Sequence, residues 1–545
     1  MTFMFVIIIF TTWYHFDTKI SKPKANESLV NTLQMEILGP DQYRIGNNWL
    51  KKNEYGLWEM YLEGSPFERG VISGKLTEEL VYKQEKAFVD KIKEMIPSES
   101  YLDFLKYFIR FFNRDIDEYI LPEYQQEIYG ISFSASDDFN FIGTKYERML
   151  NYHAAHDIGH ALQDLMLVGC TSFASNMGYA DSSLIIGRNF DFYINDAFAE
   201  DKIVCFVKPD KGYPFTFITW ASMIGVVSGM NYEGLTITIN AGKSDMPLRA
   251  ATPISLLARE ILQYASSIEE AIEISKKRQI FVSESLLIGS AKDNRAVIIE
   301  KSPSKIGIYS VQDSYLVCSN HFQSDAFKND QANLDQITGS ASFMRQNRAT
   351  EIIDHRDTLS YLDAATILRD RYGLNEQPIG IGNEKAMAQM VSHHSVIFQP
   401  LKRNIWVSTA PYQLGEYLNY NLNDFFSNYY AYPDIPAFDT ALTILADPFL
   451  YTVEYVSYVK YKEERIHLKH ATQGKTQLED DYISKFIALN PGYFESYKLA
   501  GDYYAAIGDS EKALHYYNYA LNKDFEKKSQ KEEVLDKVQS LQKNR

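Results

Sequence analysis

The chain has 545 residues, which is long for one hydrophobic core and predicts two or three domains. Hydrophobic residues make up 45% and charged residues 23% of the sequence, which excludes a disordered or fibrous protein. The net charge is −16 and no long Lys/Arg block accompanies the β-rich part of the chain, which argues against nucleic acid and anionic membrane surfaces as partners. The three cysteines, Cys170, Cys205 and Cys318, are too few for a disulfide scaffold.

The chain opens with an apolar run, FMFVIIIF, at residues 3–10. This run is short for a membrane span and no basic residue precedes it, so residues 1–20 favour an export signal or a short N-terminal anchor. We therefore expect an exported or periplasmic protein, or one anchored in a membrane and facing outside the cytoplasm. The alternative is a buried strand, which the polar sequence that follows disfavours.

Residues 21–169 are predicted to form a helical pro-region. Apolar residues recur at spacings of three and four over residues 78–96, and Pro97 ends that stretch. Residues 101–119 repeat the pattern with more aromatic side chains, and a third helical stretch over residues 144–167 leads to Gly169 and Cys170.

At Cys170 the pattern changes to short β-rich runs separated by turns, beginning with CTSFASNM and LIIGRNFDF. Helices are predicted over residues 253–279, and strands return at SLLIGSA, AVIIEKS, IGIYSV and SYLVCSN. Two helices near residues 345–353 and 360–371 precede a final hairpin, HSVIFQP and RNIWVSTA. Strands, helices and strands in this order predict an α+β domain of stacked layers over residues 170–450.

The last segment, residues 480–545, is predicted to be a separate helical hairpin module. Glycines, alanines and tyrosines fall at the spacing of one tetratricopeptide-type repeat, at Tyr497, Gly501, Tyr504, Gly508, Ala513, Tyr517 and Ala520. An unrelated helical hairpin fits equally well. Such a module is a candidate surface for a protein partner.

Cys170 is the candidate nucleophile because it follows a glycine at the point where helical sequence gives way to a strand. The carbonyl of Gly169 is unhindered, so the thiol could attack it and shift the acyl group from nitrogen to sulfur. Hydrolysis would then free the α-amine of Cys170, which titrates near ~8 and can accept the proton of the thiol. A buried structural cysteine is the alternative.

Arg188 and Asp191 lie on the next predicted strand. If CTSFASNM and LIIGRNFDF pair as a hairpin, the start of the first strand lies beside the end of the second. Asp191 could then orient the α-amine, and Arg188 would favour the thiolate through its fixed charge. A surface Arg–Asp pair is the alternative.

These residues resemble a known group. Cys170-Thr171 followed by GRNFD at residues 187–191 resembles the start of the mature chain in N-terminal-nucleophile hydrolases. Within that group it is similar to the acyl-coenzyme A:6-aminopenicillanic acid acyltransferase-like and choloylglycine hydrolase-like families. Further similar segments follow in the family's order: NYEGL at 231–235, INAG at 239–242, SNHF at 319–322, SFMR at 342–345, HSVIF at 394–398 and NIWV at 404–407.

The resemblance implies a four-layer αββα sandwich with the nucleophile at the edge of one sheet. It implies that Asn240 serves the oxyanion hole, that Asn320 lines the site and that Arg345 lies near Cys170. We expect an autoproteolytic amidohydrolase or acyltransferase that acts on a small-molecule or lipid-like amide without a cofactor or metal. The long helical segment before Cys170 fits the acyltransferase-like branch.

Two other functions remain open. His153, His156 and His160 precede Cys170 on a predicted helix, and a metal-dependent hydrolase could use them. Their spacing differs from the i, i+4 histidine pair of zinc peptidases. The second alternative is a non-catalytic scaffold that binds a partner through the C-terminal module.

Overall fold

The computed structural model describes residues 20–95, 98, 107, 110–111, 113–154, 167–177, 183–193, 195–245, 250–311, 314–429 and 434–543. Two large β-sheets occupy the centre of the molecule. Across these described ranges, no helix combines the length and apolar character that a membrane span requires.

The first sheet has eleven strands in the order β1-β2-β3-β4-β9-β10-β11-β12-β13-β14-β15. Neighbouring strands are antiparallel except for β4 and β9, which are parallel. The strands are β1 (Glu36–Gly39), β2 (Gln42–Ile45), β3 (Asn48–Lys52), β4 (Trp58–Gly64), β9 (Ile203–Pro209), β10 (Phe215–Thr219), β11 (Ser228–Asn231), β12 (Leu235–Ala241), β13 (Glu284–Ser290), β14 (Arg295–Lys301) and β15 (Ile306–Tyr309).

The second sheet has seven antiparallel strands in the order β16-β6-β7-β17-β18-β19-β20, and a short pair β5–β8 adjoins it. The strands are β5 (Leu167–Val168), β6 (Thr171–Ser175), β7 (Ile185–Phe190), β8 (Phe192–Tyr193), β16 (Tyr315–Cys318), β17 (His394–Gln399), β18 (Asn404–Ser408), β19 (Tyr417–Asn421) and β20 (Asp439–Ile444). The predicted hairpin of β6 and β7 is confirmed, since Thr171 lies opposite Asn189 and Ser175 opposite Ile185.

Helices cover the outer faces of both sheets or form the C-terminal module. They are α1 (Leu29–Thr32), α2 (Pro66–Leu76), α3 (Glu78–Met95), α4 (Pro122–Ser132), α5 (Lys145–His153), α6 (Asp196–Glu200), α7 (Ile254–Tyr264), α8 (Ile268–Lys277), α9 (Gln331–Gly339), α10 (Ser342–Asp354), α11 (Tyr361–Leu368), α12 (Val453–Gly474), α13 (Tyr482–Leu489), α14 (Phe494–Ala506), α15 (Ser510–Leu521) and α16 (Lys528–Lys543). Short helical turns lie at Ile116–Tyr119, Asp137–Phe139, Leu374–Glu376, Pro400–Lys402, Leu422–Asp424, Phe425–Tyr429 and Pro448–Tyr451.

The predicted αββα layering is confirmed. An apolar core lies between the two sheets, with side chains from the first sheet such as Phe206 and Leu287 against side chains from the second such as Ile186 and Phe398. The helices α2, α7 and α8 pack on the other face of the first sheet. The helices α10 and α11 pack on the other face of the second, so each sheet buries both of its faces.

The segment before Cys170 differs from the prediction, because residues 21–169 are not wholly helical. Residues 36–64 form the strands β1 to β4, and β4 joins the first sheet alongside β9 from Trp58↔Ile203 to Gly64↔Pro209. A two-residue turn at Gly46 and Asn47 connects β2 to β3, and Gly46 has the positive φ that such turns require. The segment therefore contributes strands to the same sheet as residues after Cys170, while the predicted domain limits remain a prediction.

The helices of that segment begin with local capping signals. The hydroxyl of Ser65 and the carboxylate of Glu68 form a capping box at the start of α2, and Pro66 occupies its first position. Thr144 and Glu147 form the same motif at the start of α5. The helix predicted over residues 101–119 lies mostly outside the described residues.

The C-terminal helical hairpin is present as α14 and α15. They pack closely because Gly501 faces the ring of Tyr517, where a Cβ atom would come within 2.5 Å of a ring carbon. The helices α12, α13 and α16 complete an apolar, tyrosine-rich core with them. The assignment to tetratricopeptide repeats stays a prediction.

Candidate active site

Cys170 lies between β5 and β6, next to the end of β7. Because Thr171 pairs with Asn189, the chain just before it runs alongside Asp191. The N–H of Gly169 donates to the carbonyl of Asp191 at 2.9 Å, which holds the residue before Cys170 against Asp191. Cys170 is 1% exposed, so the nucleophile predicted from the sequence is buried in the uncut chain.

Arg188 is fixed against the Cys170 sulfur. Its Nη2 lies 3.6 Å from Sγ and also donates to the carbonyl of Ile239 at 2.5 Å. Nη1 donates to the carbonyl of Val227 at 3.1 Å, and the guanidinium stacks 4.2 Å above the ring of Phe190. These contacts leave the buried cation little freedom to move away from the thiol.

Burial raises the pKa of the Cys170 thiol to about 11, because a thiolate is poorly solvated there. The charge of Arg188 opposes this rise in pKa, whereas the carboxylates of Asp191 and Glu284 add to it. At neutral pH the thiol is therefore protonated in the uncut chain. Nucleophilic attack requires a base that takes its proton.

The side chain of Asp191 is held away from solvent by two hydrogen bonds. Its Oδ2 accepts from Gln389 Nε2 at 3.0 Å, and its Oδ1 accepts from the hydroxyl of Ser392. Burial raises the pKa of Asp191 to about 7. The hydrogen bond from Ser392 and the charges of Arg345 and Arg188 oppose this rise without cancelling it. A carboxylate with this pKa can exchange a proton near neutrality, as a general base must.

Arg345 and Asn320 form a polar network beside the nucleophile. Arg345 Nε donates to the Thr171 hydroxyl at 2.9 Å, and its Nη2 donates to Asn320 Oδ1 at 2.5 Å. Its Nη1 donates to the carbonyl of Glu384 at 2.6 Å, and Asn320 Nδ2 donates to the carbonyl of Ala241 at 3.1 Å. The network joins α10, the end of β12 and the residue directly after Cys170.

Asn240 lies on β12, close to the same network. Its Nδ2 donates to the carbonyls of Cys318 at 3.0 Å and Ser319 at 3.5 Å, and its Oδ1 accepts from the Ser172 hydroxyl at 3.3 Å. The amide thus bonds to the backbone of the uncut chain, and its role in an oxyanion hole stays a prediction.

The structure brings the six predicted residues into one buried region, at Cys170, Arg188, Asp191, Asn240, Asn320 and Arg345. Sequence reasoning missed Gln389 and Ser392, which precede β17 and hold Asp191. It also missed Ser228, whose hydroxyl bonds to both Arg188 Nη1 and His394 Nε2. Nothing in the local sequence marks these residues, because Gln389 and Ser392 lie about 200 positions from Asp191, and Ser228 lies 40 positions from Arg188 and 166 from His394.

The histidine alternative finds no support in the described residues. His153 is buried, with Nδ1 bonded to the carbonyl of Met149 at 2.7 Å and Nε2 accepting from the N–H of Ile224 at 3.0 Å. Both ring nitrogens are therefore used within the fold. His156 and His160 lie outside the described residues, and within the described part no cluster of three metal-ligating side chains occurs.

Comparison with known proteins matches residues 179–410 to the family model "Acyl-coenzyme A:6-aminopenicillanic acid acyl-transferase". The resemblance predicted from the motifs is confirmed over these residues. A curated relative from Archaeoglobus fulgidus, named an uncharacterized protein, is 26% identical over 274 residues, which cover 46% of this chain and 45% of the relative. The chain spans about half the length of the curated relatives it matches.

The solved structures that are similar to this chain include two hydrolases. One is a Caenorhabditis elegans N-acylethanolamine-hydrolyzing acid amidase ortholog, with 16% identity and a TM-score of 0.32, covering 43% of this chain and 93% of the other. The second is a mutant conjugated bile acid hydrolase from Clostridium perfringens, with 13% identity and a TM-score of 0.33, covering 47% of this chain and 93% of the other.

Proposed function

We propose that this chain is a self-processing cysteine amidohydrolase or acyltransferase, which cleaves its Gly169–Cys170 bond and then attacks a linear amide through Cys170. The observation that carries the proposal is the contact between the Cys170 sulfur and Arg188 at 3.6 Å, next to the bond to be cut. The family match over residues 179–410 supports the same reaction class.

In the first stage, the Cys170 thiol attacks the carbonyl carbon of Gly169. The carboxylate of Asp191 takes the thiol proton and passes it to the Cys170 nitrogen as the carbon–nitrogen bond breaks. The product is a thioester between Gly169 and the sulfur. Water then hydrolyses this thioester, which leaves a carboxylate on Gly169 and frees both the thiol and the α-amine of Cys170.

In the second stage, the α-amine replaces Asp191 as the proton acceptor, because it titrates near ~8 in model compounds. The thiolate attacks the amide of a substrate, and Arg188 stabilises the negative charge on sulfur. The α-ammonium protonates the leaving amine, and a thioester remains on Cys170. Water completes a hydrolysis, whereas a second amine completes an acyl transfer.

The class of substrate is also part of the proposal. We propose a small-molecule or lipid-like amide, and the names of the similar structures supply two probes, an N-acylethanolamine and a conjugated bile acid. Aromatic side chains adjoin the site, since Phe190, Phe192 and Trp220 stack with ring centroids 5.5 to 6.5 Å apart. Phe190 and Phe192 are buried, so the partly buried ring of Trp220 is the one of the three that an apolar acyl group could contact.

The test is an intact-mass and N-terminal analysis of purified wild type, Cys170→Ala and Cys205→Ala. Cys205 is an equally buried cysteine on β9, so it is the matched control. We expect a fragment that begins at Cys170 in wild type and in Cys205→Ala, and an intact chain in Cys170→Ala. The cleaved proteins are then assayed for hydrolysis of both probe amides.

Cleavage of the bond between residues 169 and 170 in the Cys170→Ala variant would contradict self-processing, as would an uncut wild type. An uncut wild type that hydrolyses amides only with added zinc would favour the metal-dependent alternative. An uncut and inactive wild type would favour the scaffold alternative.

Export or N-terminal anchoring stays a proposal, because residues 1–19 lie outside the described residues. Fractionation of cells that express the full chain tests it, with the protein expected outside the cytoplasm. A binding role of the C-terminal module toward a protein partner is likewise still a prediction.

A further inference from the structure

Gln389 touches the bond that the proposed function requires the protein to cut. Its Nε2 donates to the carbonyl oxygen of Gly169 at 2.5 Å and to Asp191 Oδ2 at 3.0 Å. The side chain is only 3% exposed, so water does not compete well for these bonds. The buried amide of Gln389 therefore polarises the carbonyl of Gly169, while the N–H of Gly169 donates to the carbonyl of Asp191.

The absence of a side chain at Gly169 makes this contact feasible. A Cβ atom there would lie 2.3 Å from Gln389 Oε1 and 2.8 Å from Nε2, well inside van der Waals contact. Any larger residue would push the glutamine amide off the carbonyl. A glycine before Cys170 is thus required by the neighbouring glutamine as well as by the attack itself.

Gln389 belongs to residues 379–392, which we call the clamp segment, and the C-terminal module holds its other end. Asn490 forms two hydrogen bonds to the backbone of Ile381, at 2.8 and 3.1 Å. Asn383 Nδ2 donates to the carbonyl of Asp524 at 3.1 Å, and Gly380 packs directly on the backbone of Tyr493.

The rest of the clamp segment reaches the active site. The carbonyl of Glu384 accepts from Arg345, the carbonyl of Met387 accepts from Asn189 at 2.9 Å, and Ser392 bonds to Asp191. The clamp segment is therefore one continuous stretch of irregular backbone that runs from the C-terminal module to Gln389.

We propose that Gln389 is the catalytic residue that stabilises the oxyanion on Gly169 during self-cleavage, and that the C-terminal module holds it in place through the clamp segment. This inference rests on the proposed self-processing function. It also gives the module a task within this chain.

Self-cleavage at Gly169–Cys170 needs no reactant other than water. When the sulfur of Cys170 bonds to the Gly169 carbon, the carbonyl π electrons move to oxygen and create the oxyanion. The N–H of Gln389 stabilises that charge, which collapses as the carbon–nitrogen bond breaks and the Cys170 nitrogen gains the proton lost by sulfur. Removing one such donor typically slows a reaction by about 100- to 1000-fold.

The experiment follows self-cleavage of the full-length chain over time after cell-free translation, on gels. Gln389→Leu is expected to slow cleavage by roughly 100-fold. Ser392→Ala removes only the other partner of Asp191, so we expect a loss of less than about 10-fold there, as for one ordinary neutral hydrogen bond. Gln399→Leu replaces a buried glutamine at the far end of β17 and should cleave as wild type does.

A pair of glycine variants gives a second, independent readout. Gly169→Ala should slow cleavage in the wild-type background because it displaces the amide of Gln389. In a Gln389→Ala background the same change should slow cleavage by a clearly smaller factor, because the clash with Gln389 is gone, the donor is already lost and only the hindrance of the attack on the Gly169 carbonyl remains. This coupling keeps the inference testable if Gln389→Leu fails to fold.

Cleavage of Gln389→Leu at the wild-type rate would overturn the inference while leaving self-processing intact. An equal loss in Ser392→Ala and Gln389→Leu would also overturn it, because Gln389 would then act only through Asp191. The inference would also be overturned if Gly169→Ala slowed cleavage by the same factor in the wild-type and in the Gln389→Ala background. An uncut wild type would instead refute the proposed function itself.

Discussion

The region around Cys170 and the C-terminal module are built in opposite ways. In the module, α14 and α15 are neighbours in the chain and pack through tyrosines and small residues, as Gly501 does on Tyr517. Around Cys170, the contacts are polar and buried and their partners are far apart in sequence, as Gln389 is from Gly169. One region is held by local apolar packing and the other by long-range hydrogen bonds.

This difference predicts different responses to mutation. Losing one partner of a buried charged network leaves the other partner unsolvated, which costs several kcal/mol and also removes the chemistry. Losing one contact of an apolar helical core costs stability but leaves the remaining geometry largely intact. Matched substitutions in the two regions separate these effects.

The largest contrast is expected between Arg188→Met and Arg465→Met. Removing Arg188 withdraws the cation that opposes the raised pKa of the Cys170 thiol, so self-cleavage should fall by about 100-fold or more, the factor for roughly 3 kcal/mol. Arg465 on α12 pairs with Glu495 of the module at 3.1 Å, and its loss should lower the melting temperature only. Time-resolved gels measure the cleavage rate of each variant, and thermal melts measure its melting temperature. Equal cleavage rates in the two variants would refute the role of Arg188.

The second contrast concerns pH. Because burial raises the pKa of Asp191 to about 7, the carboxylate is protonated below that pH and cannot accept the thiol proton. Self-cleavage should therefore rise about tenfold per pH unit up to about 7 and more slowly above it. Asp191→Asn should remove the bend near pH 7, since the remaining titration is that of the Cys170 thiol at about 11. A bend that persists in Asp191→Asn would assign it to another group.

The same difference explains what the sequence could predict. Periodicity and turn residues are local, so they indicated the strands β6 and β7, the helices α3 and α7 and the hairpin of the module. The predicted pairing of β6 with β7 also placed Arg188 and Asp191 beside Cys170, because the register of the two strands brings the end of β7 next to the start of β6. Motif order then added Asn240, Asn320 and Arg345.

Long-range pairing accounts for what was missed. The strands β1 to β4 pair with one another in chain order, and only the parallel pairing of β4 with β9 makes them part of the central sheet. Gln389 and Ser392 lie in an irregular segment with no periodic signal. Their positions depend on how residues 379–392 are held between the module and the second sheet, which no local pattern encodes.

A third, smaller effect tests whether the two regions communicate. Asn490→Ala removes both hydrogen bonds between the module and the backbone of Ile381. We expect a loss of about 1 to 3 kcal/mol in the free energy of unfolding and a several-fold slower self-cleavage, because the clamp segment loosens. Asn518→Ala, on the exposed face of α15, is the control. Slower cleavage in both variants, or in neither, would mean that the module does not hold the clamp segment.

The smallest expected effect lies within the module. The hydroxyl of Tyr517 donates to Asp502 Oδ1 at 2.7 Å, while its ring fills the space beside Gly501. Tyr517→Phe keeps the ring and loses only this hydrogen bond, so the free energy of unfolding should fall by about 1 kcal/mol. Urea denaturation measures the loss, and Tyr519→Phe on the exposed side of α15 should show almost none. Self-cleavage should stay at the wild-type rate in both, because neither substitution reaches Asn490 or the clamp segment. A slower cleavage in Tyr517→Phe would show that packing inside the module, and not only its contact with Ile381, is transmitted to Gln389.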